Sequence, residues 1–508
     1  MTNLFDNEQR VSLRPLRPRQ NAAVLEIREA VRQGHKRIIM QAPTGMGKTL
    51  CAAHMITGAM SKSNRVLFTC PAITLVDQTL KSFEADGIRN IGIMQAQHER
   101  TDWLARLQIA SVQTLIRREL PDVDLIFIDE VHLNFDGLGK LLDGPWRDKI
   151  AIGLSATPWS KGLGLRWSKL IVAATIQELI EDEHLSPFQV YVPCKDFDRS
   201  QIKVIAGEFQ EKSAGIAMIG ATIVGDIVKT WKEKSTQEKT FMFCVNRAHA
   251  KEQMGAFIDS GIPFGYIDAN TPREVRTKQF AKMRNGEIAG IASIGCLIAG
   301  VDEDVRTIID AAPTKSEIRH VQKIGRGLRT APGKEVCTIL DHAGNALELG
   351  LVTDIYHDTL DMRKPNEKGE AYEGELRPSK PHKCVVCNAL IPKGMVKCPA
   401  CGTVERVTSD IEHREGELAV YGSQPKKGPS SKREYSMQEK QEFYSGMIWI
   451  AKEGGNPEGM AAHRFREKFG TWPRCLRRVA SPPSFECEQF DRHCRIKWAK
   501  SMKSKEVK

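Results

Sequence analysis

From residue 20 to about residue 340, short apolar runs alternate with stretches of helical periodicity. The runs at 37–40, 66–69, 125–128 and 151–154 form one series, and those at 241–244, 290–293 and 307–310 form another. Each is largely apolar at successive positions, and each is bounded by polar or glycine-rich residues. A strand with one buried face alternates; a strand covered on both faces does not, and parallel strands joined by crossover helices are covered on both. The pattern therefore predicts an α/β chain with two parallel sheets flanked by helices, divided by a hinge near Leu185, Ser186 and Pro187. No run of 18 or more apolar residues occurs, so no membrane-spanning helix is expected. The first ten residues are polar and have no leader-like apolar stretch, which points to the cytoplasm.

Beyond Pro365 the alternation stops. Polar, Pro- and Lys-containing sequence surrounds four paired cysteines, and residues 422–431 read as a flexible linker. The expected divisions are 1–188 and 189–362 for the two α/β domains and 363–420 for the cysteine region. The linker is assigned to 421–436 and a small basic C-terminal region to 437–508. A chain of 508 residues is too long for one ordinary core, in keeping with several domains.

Charge sharpens this division. The net charge is +11, and residues 423–508 carry 19 Lys/Arg against 10 Asp/Glu, or +9, leaving +2 for the rest. A basic tail on a near-neutral body suits a polyanion, most simply nucleic acid; a solvated tail would have the same composition. Within the tail, Trp449, His463, Arg464, Phe465, Arg466, Lys468, Phe469, Trp472 and Arg474 interleave aromatic and basic side chains. That mixture suits phosphate contacts with base stacking, or else a small helical core.

Three constellations carry chemistry. Ala42-Pro43-Thr44-Gly45-Met46-Gly47-Lys48-Thr49 follows a predicted strand and precedes a helical stretch, as a phosphate-binding loop requires. Its glycines admit phosphate oxygens to backbone N–H groups, and the following helix adds its positive dipole end. Thr44, Gly45, Met46 and Gly47 form the cradle, Lys48 reaches the β- and γ-phosphates, and Thr49 offers a hydroxyl to Mg²⁺. About 80 residues on, an apolar strand ends in Asp129 and Glu130, with His132 beyond. Asp129 can hold Mg²⁺ through water, and Glu130 is placed to polarise the attacking water. In Gln322-Lys323-Ile324-Gly325-Arg326-Gly327-Leu328-Arg329, Arg326 and Arg329 are three apart and would share one helix face, two guanidinium forks suited to a transferring phosphoryl group.

Thirteen cysteines are present, and four form Cys384-x2-Cys387 and Cys398-x2-Cys401, ten residues apart. Two such knuckles complete a tetrahedral Zn²⁺ site with no open ligand position, hence a structural one. Nine scattered cysteines fit free thiols better than a disulfide framework.

With these elements in order, the chain resembles superfamily 2 helicases of the DEAD/DEAH-box type across roughly residues 13–345. Gln20 matches the adenine-recognising Q motif, although Arg19 stands where an aromatic is usual. Residues 70–78 match motif Ia and 111–115 the next nucleic-acid motif. Asp129-Glu130-Val131-His132 matches motif II and Ser155-Ala156-Thr157-Pro158 motif III. Residues 243–247 match motif IV, Ala299-Gly300-Val301-Asp302 motif V and 322–329 motif VI. Residues 312–316 and 340–345, with the cysteine cluster and residues 457–473, are similar to the RadD-like bacterial and phage group. The resemblance implies two tandem RecA-like domains with ATP between them. Gln20, Lys48, Thr49, Asp129 and Glu130 would come from the first, and Arg326, Arg329 and Asp302 from the second. It also implies motion along nucleic acid, DNA more than RNA, with single-stranded-DNA-binding or other repair and replication proteins as partners.

The reading that follows is an ATP-dependent DNA helicase or translocase serving replication, recombination or repair. A nucleic-acid-stimulated ATPase that remodels partners without unwinding would carry the same motifs. So would the motor subunit of a restriction system, although the sequence has no nuclease constellation of its own.

Overall fold

In the computed structural model, residues 13–364, 381–404 and 435–494 are described, apart from short internal gaps. The expected linker at 422–431 and the tail beyond 494 lie outside the described residues, as do Ala299, Arg474 and His493. The chain divides into two units, Met1–Asp410 and Ile411–Lys508.

The first unit holds both predicted sheets. The first sheet takes β1 (Arg37–Gln41), β2 (Val66–Cys70), β3 (Ile91–Met94), β4 (Leu107–Ser111), β5 (Leu125–Asp129), β6 (Ile150–Ser155) and β7 (Lys169–Val172). Their order is β3-β4-β2-β5-β6-β1-β7, parallel throughout. Helices α1 (Pro18–Arg32), α2 (Lys48–Met60), α3 (Ile73–Ala85), α4 (Val112–Leu115), α5 (Asp136–Asp143) and α6 (Ile176–Glu181) belong to this lobe. The apolar runs form strands because both faces are covered: every residue of β1, β2, β3 and β4 is buried. Phe68 sits at the centre, edge-on to Phe83 at 5.2 Å and stacked with Phe127 at 6.2 Å. Burying such a ring stabilises the fold by about 1.5–3 kcal/mol.

The second sheet begins at β8 (Phe188–Tyr191), directly after the predicted hinge. A small hairpin of β9 (Val204–Ile205) and β10 (Glu208–Phe209) intervenes before β11 (Thr240–Phe243), β12 (Phe264–Ile267), β13 (Gly290–Ser293), β14 (Thr307–Asp310) and β15 (Cys337–Leu340). The six large strands run parallel in the order β12-β13-β11-β14-β15-β8. Helices α7 (Glu211–Gly220), α8 (Ile223–Lys234), α9 (Arg247–Asp259), α10 (Arg273–Arg284), α11 (Glu317–Gly327) and α12 (Asn345–Leu349) accompany them. A buried network ties α11 to this sheet: the Lys323 ammonium donates to Asp310 Oδ1 at 2.5 Å, and Asn345 Nδ2 to Asp310 Oδ2 at 2.9 Å. A pairing of β16 (His382–Lys383) with β17 (Leu390–Ile391) belongs to the cysteine region. It reaches edge strand β8 through a bridge between Tyr191 and Ala389.

In the second unit, α13 (Met437–Glu453) and α14 (Gly459–Phe469) pack on each other. The tail aromatics divide by role. Phe443, Tyr444 and Phe465 form the core with Met447 and Cys487, whereas Trp449 and Trp472 are exposed. Trp472 lies 4.8 Å from the Arg466 guanidinium and 5.1 Å from the His463 ring. Among the described residues, no helix is long and apolar enough to cross a membrane.

Three buried imidazoles of the second lobe link its fold to pH. Burial holds His249, His320 and His342 down at about 4. An unfolded histidine titrates near ~6.5, so between pH ~6.5 and ~4 the unfolded chain binds more protons and acid favours unfolding. Raised carboxyls work in the opposite direction, Asp341 at about 6 and Asp129 of the first lobe at about 7, with Glu303 and Asp354 also raised by burial, and they offset part of what the three imidazoles contribute. The melting temperature is expected to fall by several degrees from pH 7.5 to pH 5; a scan that is flat or rising over that range contradicts this account.

Candidate active site and cysteine cluster

The register of the first sheet sets the site. Gln41 of β1 pairs with Ser155 of β6, and Leu154 of β6 pairs with Asp129 of β5, so three carboxyl ends finish at one level. The chain runs from β1 to β2 across β6 and β5, which opens a crevice at those ends, the usual ligand position in an open parallel sheet. The loop after β1 enters α2 through Gly45 and Gly47, with φ of +86° and +83°. A Cβ on Gly47 would stand 2.5 Å from Gln20 Nε2, so only glycine fits there.

Gln20, expected to read the nucleotide base, is buried and braces this loop. Its Nε2 donates to the Met46 carbonyl at 2.6 Å, and its Oε1 accepts the Arg17 N–H at 2.8 Å. Arg17 adds a bond from Nη2 to the Gly45 carbonyl at 2.9 Å. The motif reading gave Arg17 no role, and an arginine at the start of a helix carries no signal of one. The Lys48 ammonium donates to the Ala42 carbonyl at 3.2 Å. Lys48 also acts electrostatically on both Asp129 and Glu130.

The two carboxylates diverge. Burial and then the Glu130 charge raise the Asp129 carboxyl, with Lys48 opposing. Burial would raise Glu130 too, but His132, Lys48 and Arg326 outweigh it and hold that group ionised. Glu130 adopts a left-handed backbone, φ +49°, at the turn out of β5, a cost tolerated where side-chain placement matters. His132 is a buried junction. Its Nδ1 lies 2.9 Å from Ser155 Oγ and 3.3 Å from Glu130 Oε2, and its Nε2 lies 3.1 Å from Gln322 Nε2 of the second lobe. An amide N–H can only donate, so Nε2 accepts and the ring proton sits on Nδ1, facing Ser155 and Glu130. Gln322 Nε2 is also 3.2 Å from Thr157 Oγ1.

The second lobe thus meets the phosphate loop through α11. The Cβ position of Gly325 is 3.2 Å from Thr44 Oγ1. Arg326 is buried, and its charge is felt by Glu130; burial and then Arg329 pull its guanidinium down to about 10, still protonated at neutral pH. The expected sharing of one helix face by Arg326 and Arg329 is corrected. The helix ends at Gly327, Leu328 caps it, and Arg329 lies beyond, in an antiparallel bridge with Leu185. A Cβ on Gly327 would stand 2.5 Å from Cys337 Sγ and 2.8 Å from Ile308 Cγ1, so the backbone packs flat on the sheet and turns there. Both arginines still converge, since each donates to the Val301 carbonyl, Arg326 at 3.1 Å and Arg329 at 2.5 Å. Asp302 is exposed and takes a second bond from Arg329 at 2.6 Å.

These residues fit a triphosphate with a divalent cation. The glycines leave backbone bare at the loop, and buried Arg326 Nε has no hydrogen-bond partner. Thr49 opens α2 beside Lys48, and Asp129 ends β5, so both offer oxygens at the same crevice.

The four cysteines converge as their spacing predicts. All four sulfurs lie within 4.8 Å of one another, with Cys384–Cys401 at 3.7 Å and Cys387–Cys398 at 3.6 Å. A tetrahedron of sulfurs ~2.3 Å from a central zinc has edges of ~3.8 Å, so the set fits a four-thiolate metal site. Each knuckle closes on a left-handed residue: Asn388 N–H donates to the Cys384 carbonyl at 3.0 Å, and Gly402 N–H to the Cys398 carbonyl at 2.9 Å. Cys487 and Cys494 form no such group among the described residues.

Residues 14–160 match the family model of the type III restriction enzyme res subunit, and residues 221–331 match the helicase conserved C-terminal domain. A 51.5 kDa protein of a Lactococcus phage is 26% identical over 370 residues, covering 72% of this chain and 77% of that protein. IRC3 of Saccharomyces cerevisiae, named as an ATP-dependent helicase, is 28% identical over 365 residues, covering 66% of this chain and 52% of its own. The chain therefore spans about three quarters of the phage relative and about half of the yeast one. Among solved structures, the ATP-dependent type ISP restriction-modification enzyme LlaBIII bound to DNA aligns with a TM-score of 0.50 at 17% identity, over 65% of this chain and 28% of that one. At that identity the likeness is one of fold.

Proposed function

Because this chain belongs to superfamily 2 of the helicases and hydrolyses ATP, we propose that it is a DNA helicase or translocase, a motor that steps along a strand as its cleft closes and opens. Its setting would be replication, recombination or repair in the cytoplasm of a bacterial or phage-infected cell. The observation that carries this reading is the seating of α11 from one lobe against the phosphate loop and His132 of the other. In the proposed cycle Lys48 grips the β- and γ-phosphates, Glu130 orients the attacking water, and Arg326 meets the charge that develops on the transferred group. Thr49 and Asp129 would hold Mg²⁺, which when bound would neutralise phosphate charge. Arg329 and Asp302, paired beyond the end of α11, act at the rim of the site, and Gln20 acts on the base side through the loop it braces. Zn²⁺ at Cys384, Cys387, Cys398 and Cys401 would hold the two knuckles together. In the second unit, exposed Trp472 with Arg466 and His463 suits stacking on a nucleobase.

One observation favours a second reading. The first-lobe match is to a restriction-enzyme motor, and such a motor would need a nuclease partner. Site-specific cleavage by a co-purifying nuclease would select that reading, and strand displacement on a fork without cleavage selects the helicase.

ATPase rates with single-stranded DNA, duplex, fork and RNA test the main proposal; a rate unchanged by every nucleic acid sinks it. Lys48→Ala is expected to abolish turnover, and retained turnover would remove the phosphate clamp. Glu130→Gln is expected to bind ATP normally while hydrolysis falls by about 10²-fold or more. Loss of ATP binding would count against a role confined to the water. Metal analysis is expected to find about one zinc per chain, lost in Cys384→Ser with unfolding of the cysteine region; a folded, metal-free preparation is the contrary result.

A further inference from the structure

Past α12 the chain packs first on the second lobe and then crosses back to the first. Val352 lines a small cavity with Phe188, Ile324 and Ile339 of the second lobe. Eight residues later Leu360 is buried in the core of the first lobe, with Trp146, Leu163 and Trp167. Gly164 N–H donates to the Asp361 carbonyl at 2.9 Å. A Cβ on Gly164 would stand 3.0 Å from the Leu360 carbonyl oxygen and 3.2 Å from that of Asp361, so the returning strap lies on bare backbone. No helicase motif read from the sequence includes this segment.

Between these two anchorages sits His357. Its Nε2 lies 2.7 Å from Glu317 Oε2, in the first turn of α11. Its ring centroid is 4.8 Å from that of Trp159, which follows the Ser155–Pro158 motif and whose backbone N–H donates to the Thr157 carbonyl at 2.8 Å. One imidazole therefore touches the start of the helix that carries Gln322 and Arg326, and the loop that carries Thr157. At its other end α11 meets the first lobe again, through Gln322 on Thr157 and Gly325 on Thr44. Because Lys323 ties α11 to the second sheet, helix and lobe turn together; a lobe that meets the first at one end of α11 can pivot about that contact, and one that meets it at both presents Arg326 at one angle.

We propose that Trp159, His357 and Glu317 form a bridge between the lobes that sets the angle of α11 for ATP hydrolysis, with the strap at 351–363 holding it in place. These are positioning residues, acting through Arg326 and Gln322, and the inference rests on the proposed role of Arg326. Because the bridge touches the start of α11 and the loop after β6, whereas Lys48 and Gln20 bond to the phosphate loop, its loss changes the rate of the chemical step and leaves nucleotide capture intact. Small errors in such placement lower turnover steeply.

The test uses the full chain with a single-stranded oligonucleotide. It compares Arg326→Ala, His357→Ala, Glu317→Ala, the His357→Ala/Glu317→Ala double variant and His357→Gln. kcat and KM for ATP, binding of a fluorescent ATP analogue and melting temperature are measured for each. His357→Ala is expected to lower kcat about tenfold with KM and analogue affinity within about twofold. The double variant is expected to be no worse than either single one, and His357→Gln, whose amide can still donate to Glu317, to recover most of the rate. If Arg326→Ala loses turnover while His357→Ala keeps it, the bridge is overturned and the site reading stands. If Arg326→Ala keeps turnover, the reading beneath the bridge fails. A kcat loss that adds in the double variant and is not restored by glutamine, at unchanged melting temperature, also overturns the bridge.

Discussion

Unlike charges buried in one cleft set the terms for the whole first unit. A carboxylate or guanidinium taken out of water costs several kcal/mol unless an opposite charge and hydrogen bonds meet it there. Asp129 and Glu130 stand at one strand end, and what stabilises Glu130 in its ionised form comes from three directions: His132 beside it, Lys48 from the phosphate loop and Arg326 from the second lobe. Neither lobe holds that set alone. The parallel sheet makes the meeting possible, because its register brings the ends of β1, β5 and β6 level, and α11 then closes over them. His132 converts proximity into contact, since its two ring nitrogens face different lobes.

Much of this was legible in the sequence because covered strands and phosphate loops leave dense local signals. The seven apolar runs lie on seven strands, and Cys384, Cys387, Cys398 and Cys401 meet as their spacing requires. Helix periodicity misled at Arg329, because spacing of three says nothing about where a helix stops. The end of α11 is fixed by the close approach of Gly327 to Cys337 and Ile308, residues from two other strands. Gln20 stood out by its motif, but its brace on the phosphate loop did not, since that bond runs to backbone 26 residues away. The strap left no pattern at all. Its anchor is one leucine and one backbone carbonyl, and neither has a period.

The cysteine region has a structural consequence beyond its metal. β8 is the edge strand of the second sheet, and an exposed edge invites pairing with another chain. Here the knuckle covers it: Ala389 bridges Tyr191, Val192 N–H donates to the Asn388 carbonyl at 3.3 Å, and Gln189 Nε2 to the Pro399 carbonyl at 3.3 Å. Metal binding would thus stabilise a sheet edge as well as a loop, which gives a four-thiolate site a role in the fold without any chemistry at the metal. In the second unit, burial separates residues that composition had grouped. Phe443, Tyr444 and Phe465 account for the core, so the surface chemistry rests on the exposed tryptophans and their basic neighbours.

The lobes are joined by two crossings, and that restricts how the cleft can move. The linker is one: Ser186 N–H donates to the Leu328 carbonyl at 2.7 Å, and Leu185 bridges Arg329 and reaches toward Gly45. The strap at 351–363 is the other. Two bodies tied at two points turn most freely about the line between the ties. The remaining contacts between the lobes differ in strength. Gln322 on His132 is at least half-buried and needs the cleft closed. Arg273 on Asp77, at 3.0 Å, is an exposed ion pair worth roughly 0–1 kcal/mol, and Gly300 merely abuts Leu75 beside it. Asp77 and Gly300 belong to the segments that resemble motifs Ia and V, where a strand of nucleic acid would lie. Under the proposed function, a firm closure where the triphosphate would bind and a weak one where the strand would lie would let rotation driven at the first be released as displacement at the second.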